Sequence, residues 1–384
     1  GKTVTLTGNI DLDGFKWEPI GKANLQQIFK GVFDGGGYEI HNLRSEVIST
    51  GEAYSGLFGA IYQARVTRVV LAEDCEIRTS YYGGGVVAYA QESEIVSCEN
   101  RASVSFEGPA GYVGGIAGYV STSSIDRCEN LGVVTGTVQP SDNYASCLVY
   151  AGGIAGVNQE SAIINSSNHA VVAVEALPEY DSCAGGIVGY NSGSSTFITN
   201  CYNAAGVRLS GSGFAGGILS YTDNADIRVA NCYNIGTVSG VPGKSYPVVP
   251  ILSADSEDCY YLMNCVEGEG SYAGTALTVD YMKSTAFAAR LNDWSKTNNS
   301  SETGRQTLYW KVEDAENDGY PVFTDQDPGY TGVESVVSGV RIYPTTVSGE
   351  LFVCGAESPI YICNLAGHIV SIIDPTEEIT VVDM

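Results

Sequence analysis

The sequence predicts an all-β chain wound as a right-handed parallel β-helix, with a C-terminal cap and a small β-sandwich-like module after it. Three observations predict this. The 384 residues hold 47 glycines and 25 tyrosines but only 3 methionines and 3 histidines, a balance that favours strands and turns over helices. A glycine pair recurs at a nearly constant period. Two further phrases follow each pair at fixed distances.

The glycine phrase reads Gly84-Gly85-Val86, Gly114-Gly115-Ile116, Gly152-Gly153-Ile154, Gly185-Gly186-Ile187 and Gly216-Gly217-Ile218, with an earlier form in Ser55-Gly56-Leu57-Phe58-Gly59. These mark about six coils, with steps of 29, 30, 38, 33 and 31 residues. The second phrase is Ile95-x-x-Cys98, Ile125-x-x-Cys128, Ile163-x-x-Ser166, Ile198-x-x-Cys201 and Val229-x-x-Cys232, closed two residues later by Asn100, Asn130, Asn168, Asn203 and Asn234. Val104, Val134, Val172, Val207 and Val238 open the third phrase. Three short strands per coil, separated by Gly and Asn turns, make a triangular parallel β-helix whose like residues stack. Val86, Ile116, Ile154, Ile187 and Ile218 then form an aliphatic ladder. Cys98, Cys128, Cys201 and Cys232 form an inward thiol ladder interrupted by Ser166. Inert core thiols and disulfides between neighbouring coils are both compatible with that spacing.

The repeats and the first 50 residues, read as an N-terminal cap, make residues 1–275 one solenoid. Residues 276–323 read as its C-terminal cap, with a single amphipathic helix near 280–292 carrying Met282, Phe287 and Leu291 on one stripe. Residues 324–337 are a polar linker with Pro and Gly. Residues 338–384 alternate in short strands, as a separate sandwich would.

The formal net charge is −25. Such a surface repels phosphate backbones and anionic lipid, so the reading includes no nucleic acid and no direct membrane insertion. No apolar run is long enough to span a bilayer as a helix.

The repeated phrases, Gly56-Leu57-Phe58-Gly59 above all, resemble GLUG-motif surface proteins of Bacteroidetes. The N-terminal G-V-F-D-G-G-G-Y-E-I-H-N-L and the closing M-K-S-T-A-F-A-A-R-L-N…W…N-D-G-Y-P-V-F look like the same family over roughly residues 1–323. Residues 338–384, opening on R-I-Y-P, resemble the type IX secretion sorting domain of that phylum, without its usual final G-x-Y-x-V strand. The resemblance implies a secreted, outer-membrane-associated adhesin or surface protein, with an extracellular glycan or protein as partner.

The sequence carries no H-E-x-x-H, G-x-S-x-G or phosphate-binding loop. The expectation is a protein that binds rather than catalyses, and that needs no cofactor. A polysaccharide lyase or hydrolase on a β-helix, and a purely structural stalk, are the alternatives. Asp314-x-Glu316-x-Asp318-Gly319 has the alternating oxygens of a Ca2+ loop, though a solvated acidic turn has the same pattern. Two features nominate a binding surface. Tyr89, Tyr119, Tyr190 and Tyr221, with Val157 between, lie four residues after each glycine pair, opposite in face to the isoleucines. The segments before the glycine pairs vary in length, and the two longest hold Asp142, Tyr144 and Tyr150, and Tyr180 and Asp181. Variable insertions on a constant coil are where a solenoid places specificity.

Overall fold

The computed structural model describes residues 2–22, 27–49, 52–193, 195–223, 227–250, 256–266, 272–298, 306–313 and 315–329, together with five strands beyond residue 340. By contact the chain forms two compact units, residues 1–278 with 298–308, and residues 279–297 with 309–384.

The first unit is a parallel β-solenoid. Each full coil has five strands, not the three expected. One coil runs Glu94–Val96, Glu99–Asn100, Ser103–Gly108, Ala110–Gly114 and Ala117–Ser121. These positions define ladders 1 to 5, which hold 9, 10, 8, 7 and 6 strands. The six strands of ladder 5 follow the six glycine phrases, and coils lacking that ladder extend the stack at both ends.

The three-phrase reading merges strands because the corners between them are short. Ladders 1 and 2 are separated by a corner whose left-handed residue is Arg68, Ser97, Arg127, Asn165, Asn200 or Asn231. Arg and Ser carry no turn signature, so this corner is visible in the sequence only where Asn occupies it. The residue after the corner is the Cys or Ser of the second phrase. Its side chain accepts a hydrogen bond from the backbone of the preceding coil, as Cys98 N to Cys128 Sγ at 3.4 Å and Cys128 N to Ser166 Oγ at 3.2 Å. Ser166 therefore continues the thiol ladder rather than interrupting it, and Cys259 extends it, donating to Val229 O at 3.4 Å.

Inward positions fill the coil. Val86, Ile116, Ile154, Ile187 and Ile218 are all fully buried, each contributing roughly 2–3 kcal/mol of apolar transfer. Nine described cysteines are buried and unbridged.

In the second unit the expected helix is broken in two. Val279–Met282 is a single turn, and the helix proper is Thr285–Asn298. Ser284 restarts it, its hydroxyl accepting from Phe287 N at 3.2 Å. Met282, Phe287 and Leu291 are fully buried as expected. Asn292 clamps the antiparallel pair Tyr309–Lys311 and Val322–Thr324, donating to Trp310 O at 2.9 Å and accepting from Trp310 N at 2.7 Å. Beyond residue 340 the strands Arg341–Tyr343, Glu350–Cys354 and Ile379–Asp383 pair antiparallel, as do Ile360–Cys363 and Ile369–Ile373. The chain does carry a last strand there, with the sequence Ile-Thr-Val-Val-Asp.

Candidate functional site

The glycine pairs build the most distinctive surface of the solenoid. Ladders 4 and 5 meet at a corner so tight that neither glycine has room for a side chain. A Cβ on Gly114 would lie 2.1 Å from Ala117 O and 2.9 Å from Ala155 Cα in the neighbouring coil. The second glycine faces inward onto an asparagine: a Cβ on Gly115 would lie 2.2 Å from the Asn130 side chain, and on Gly186 2.5 Å from that of Asn203. These asparagines form a buried amide ladder. Asn100 Nδ2 donates to Asn130 Oδ1 at 2.9 Å, and Asn130 to Asn168, Asn168 to Asn203 and Asn203 to Asn234 follow at 2.8 Å. Each also donates to the carbonyl two residues ahead, as Asn130 to Gly132 O at 2.8 Å. Glycine and asparagine are thus two halves of one packing unit.

Tyrosines line both walls of this corner. On ladder 5 are the expected Tyr89, Tyr119, Tyr190 and Tyr221, in register with Val157 between them. On ladder 4 lies a second file, Tyr54, Tyr82, Tyr112 and Tyr150. Sequence reasoning missed its first three members, although each stands two residues before the first glycine of its phrase. Tyr150 belongs to this strand and not to the insertion where it was expected, because the strand Leu148–Gly152 begins before it.

The two files touch. Ring centroids are 5.6 Å apart for Tyr82 and Tyr89 and 5.4 Å apart for Tyr112 and Tyr119. An unbroken chain of contacts runs from Tyr54 through Tyr82, Tyr112, Tyr150, Tyr190 and Tyr221 to Phe214, with spacings of 4.6 to 5.9 Å. It crosses six coils, a length of about 24 Å at strand spacing. The rings are half-buried, and burial, the leading cause, raises the phenol pKa of Tyr89, Tyr112 and Tyr119 above its ordinary value. Their hydroxyls end on acceptors: Tyr54 on Glu52 at 2.6 Å, Tyr119 on Gln159 at 2.9 Å and Tyr190 on Asp223 at 2.8 Å.

The insertions lie between ladders 3 and 4. Asp142 is exposed in its loop, while Tyr144 and Tyr180 lean back against the core instead of projecting. Asp181 pairs with Lys244 at 2.8 Å and accepts from Ser212. Lys244 also lies 4.7 Å from the centre of the Phe214 ring, closing the aromatic chain at that end. Of the Ca2+-like motif, Asp314 lies outside the described residues. Glu316 pairs with Lys311 at 3.4 Å and Asp318 with Lys283 at 2.9 Å, so both carboxylates face lysines.

No known family model matches the chain, and no curated protein matches it. Among solved structures, a crystal structure described as a putative immunoglobulin A1 protease from Bacteroides ovatus matches at TM-score 0.50 and 19% identity, covering 85% of this chain and 86% of that one. A structure described as an IgA1 protease matches at TM-score 0.47 and 15% identity, over 68% of this chain and 20% of that one. At 19% identity the first likeness shows a shared fold: the chain is a β-solenoid of the same architecture.

Proposed function

We propose that this chain is a surface-displayed binding solenoid of the GLUG type, whose tyrosine strip engages an extracellular ligand. The observation that carries the reading is the continuous contact of two tyrosine files along one corner. A solenoid needs only inward residues to hold its coils together, and here a large aromatic area is spent outside the core. Half-buried tyrosines combine apolar area, a hydroxyl and little rotamer freedom, the properties that make them interface anchors.

The ring geometry favours a protein over a glycan at this strip. Sugars stack on ring faces, and here the faces are taken: Tyr54–Tyr82, Tyr89–Tyr119, Tyr150–Tyr190 and Tyr190–Tyr221 lie 13° to 23° from parallel on one another. The hydroxyls that donate within the strip, such as Tyr119 to Gln159, still have lone pairs that accept from a partner, which suits hydrogen bonds from a protein surface. The acidic net charge of −25 favours a basic one.

The test immobilises the chain and titrates it with purified extracellular proteins, including IgA1 and mucin, against a Tyr82→Phe, Tyr112→Phe, Tyr119→Phe variant. Phenylalanine keeps the stacking and removes the hydroxyls. A bound protein should lose at least about tenfold in affinity, since each hydrogen bond contributes ~1 kcal/mol. Equal binding by both forms would rule the strip out. In the same mixtures IgA1 should stay intact, and its cleavage would replace the binding reading with an enzymatic one.

A further inference from the structure

We infer a second site, independent of the tyrosine strip: an oligosaccharide trough on the outer face of ladder 3. A hollow of about 880 Å³ lies there, a size within the range of ligand clefts, about 300–1,000 Å³. Its floor is a row of outward side chains in strict register, Glu46, Arg78, Ser105 and Thr135, one from each of four coils. Its far wall is the long insertion, where Tyr144 packs back on the core and is thereby held in place. Gln139 of the same insertion donates to Glu107 at 2.6 Å, tying the loop to the floor.

The chemistry of the lining selects the ligand. Hydroxyls, carboxylates and a guanidinium alternate, so donors and acceptors repeat about every 4.8 Å along the solenoid axis. A polyhydroxylated chain lying along that axis could meet both kinds of group at each coil, with Tyr144 as an apolar wall. The lining has three carboxylates, Glu46, Glu76 and Glu107, against one cation, Arg78, which is itself paired with Glu76 at 2.6 Å. That imbalance repels uronate and sulfate sugars and leaves neutral ones. The ligand class is therefore a neutral, extended oligosaccharide.

Calorimetric titration with cellohexaose, mannohexaose, N-acetylated chitohexaose and hexagalacturonate tests this. At least one neutral probe should bind, with hexagalacturonate at least tenfold weaker. Ser105→Trp fills the trough from an outward position and should weaken the bound probe at least tenfold, with an unchanged circular dichroism spectrum. The triple tyrosine variant should bind the probe as the parent does. The inference is overturned if no neutral probe binds, if hexagalacturonate binds best, or if Ser105→Trp binds equally. It is likewise overturned if the tyrosine variant loses the sugar, which would place it on the strip.

Discussion

Gly153 has room for a hydrogen and nothing more. A Cβ there would lie 2.1 Å from Gly186 O of the next coil and 2.4 Å from Asn168 Cγ of its own, the one held by ladder 4 and the other by the amide ladder. Neither neighbour is a flexible chain end, so the coil must open to accept a methyl group. Gly153→Ala should cost about 3 kcal/mol in a urea unfolding curve, the upper range of overpacking. Gly8→Ala, with nothing within 4 Å of its Cβ, should change the curve by less than about 0.5 kcal/mol. Equal effects of the two would mean that the glycine–asparagine unit does not hold the coils in place.

His169 sits beside that unit, at the end of the third Asn phrase. Burial pushes its imidazole down to about 4. Nε2 lies 3.0 Å from the Tyr202 hydroxyl and 3.2 Å from Glu129, whose carboxylate is well solvated and does not offset the burial. The folded chain thus holds a neutral ring where the unfolded chain would protonate near 6.5. The stability carried by the neutral ring is complete above about pH 6.5 and is lost as pH falls toward 4. Between pH 7 and pH 5 the parent should therefore lose more Tm than His169→Gln does. Equal losses would show that the ring titrates normally in the fold.

At the scale of elements, the ladders explain both what sequence patterns capture and what they miss. Periodic isoleucines, cysteines and asparagines are legible because each obeys the same packing constraint in every coil. The strands of ladders 2 and 4 are hidden, the first inside the Asn phrase that signals a turn and the second inside the variable segment that leads into the glycine corner. Its glycines serve close approach rather than left-handed backbone: they are absent from the positive-φ positions, where Arg68, Ser97 and Arg127 appear instead. The second tyrosine file was lost with the strand that carries it. The helix shows the reverse case: its apolar stripe is legible, but its start lies later than residue 280 because Ser284 caps the helix proper.

At the scale of the molecule, the stack is a cross-section repeated with little change, and thiols on different ladders share its burial. Burial raises Cys183 to about 12 and Cys75 to about 11, holding them as thiols near neutral pH. The nine described cysteines should resist a thiol reagent at pH 8 in the native protein. The chain holds eleven cysteines, and denaturation without reductant should add at least these nine to the reactive count. Fewer would show cross-linked coils. The same uniformity makes the insertions the main source of difference between coils, and the longest of them walls the proposed trough.

By itself the sequence determined the class of fold, the period, the inward aliphatic and thiol ladders and one tyrosine file, because each repeats a local demand at a fixed offset; the asparagines, which it marks as turns, become a buried amide ladder only through stacking. Tertiary structure decided what depends on neighbours in space. Stacking set five strands per coil, brought Tyr82 against Tyr89 across the glycine corner, and turned Tyr144 and Tyr180 toward the core. It also aligned Glu46, Arg78, Ser105 and Thr135, which are 27 to 32 residues apart in the chain, into one row. Nothing local marks that row, because its four side chains differ and only the register of the coils makes them neighbours.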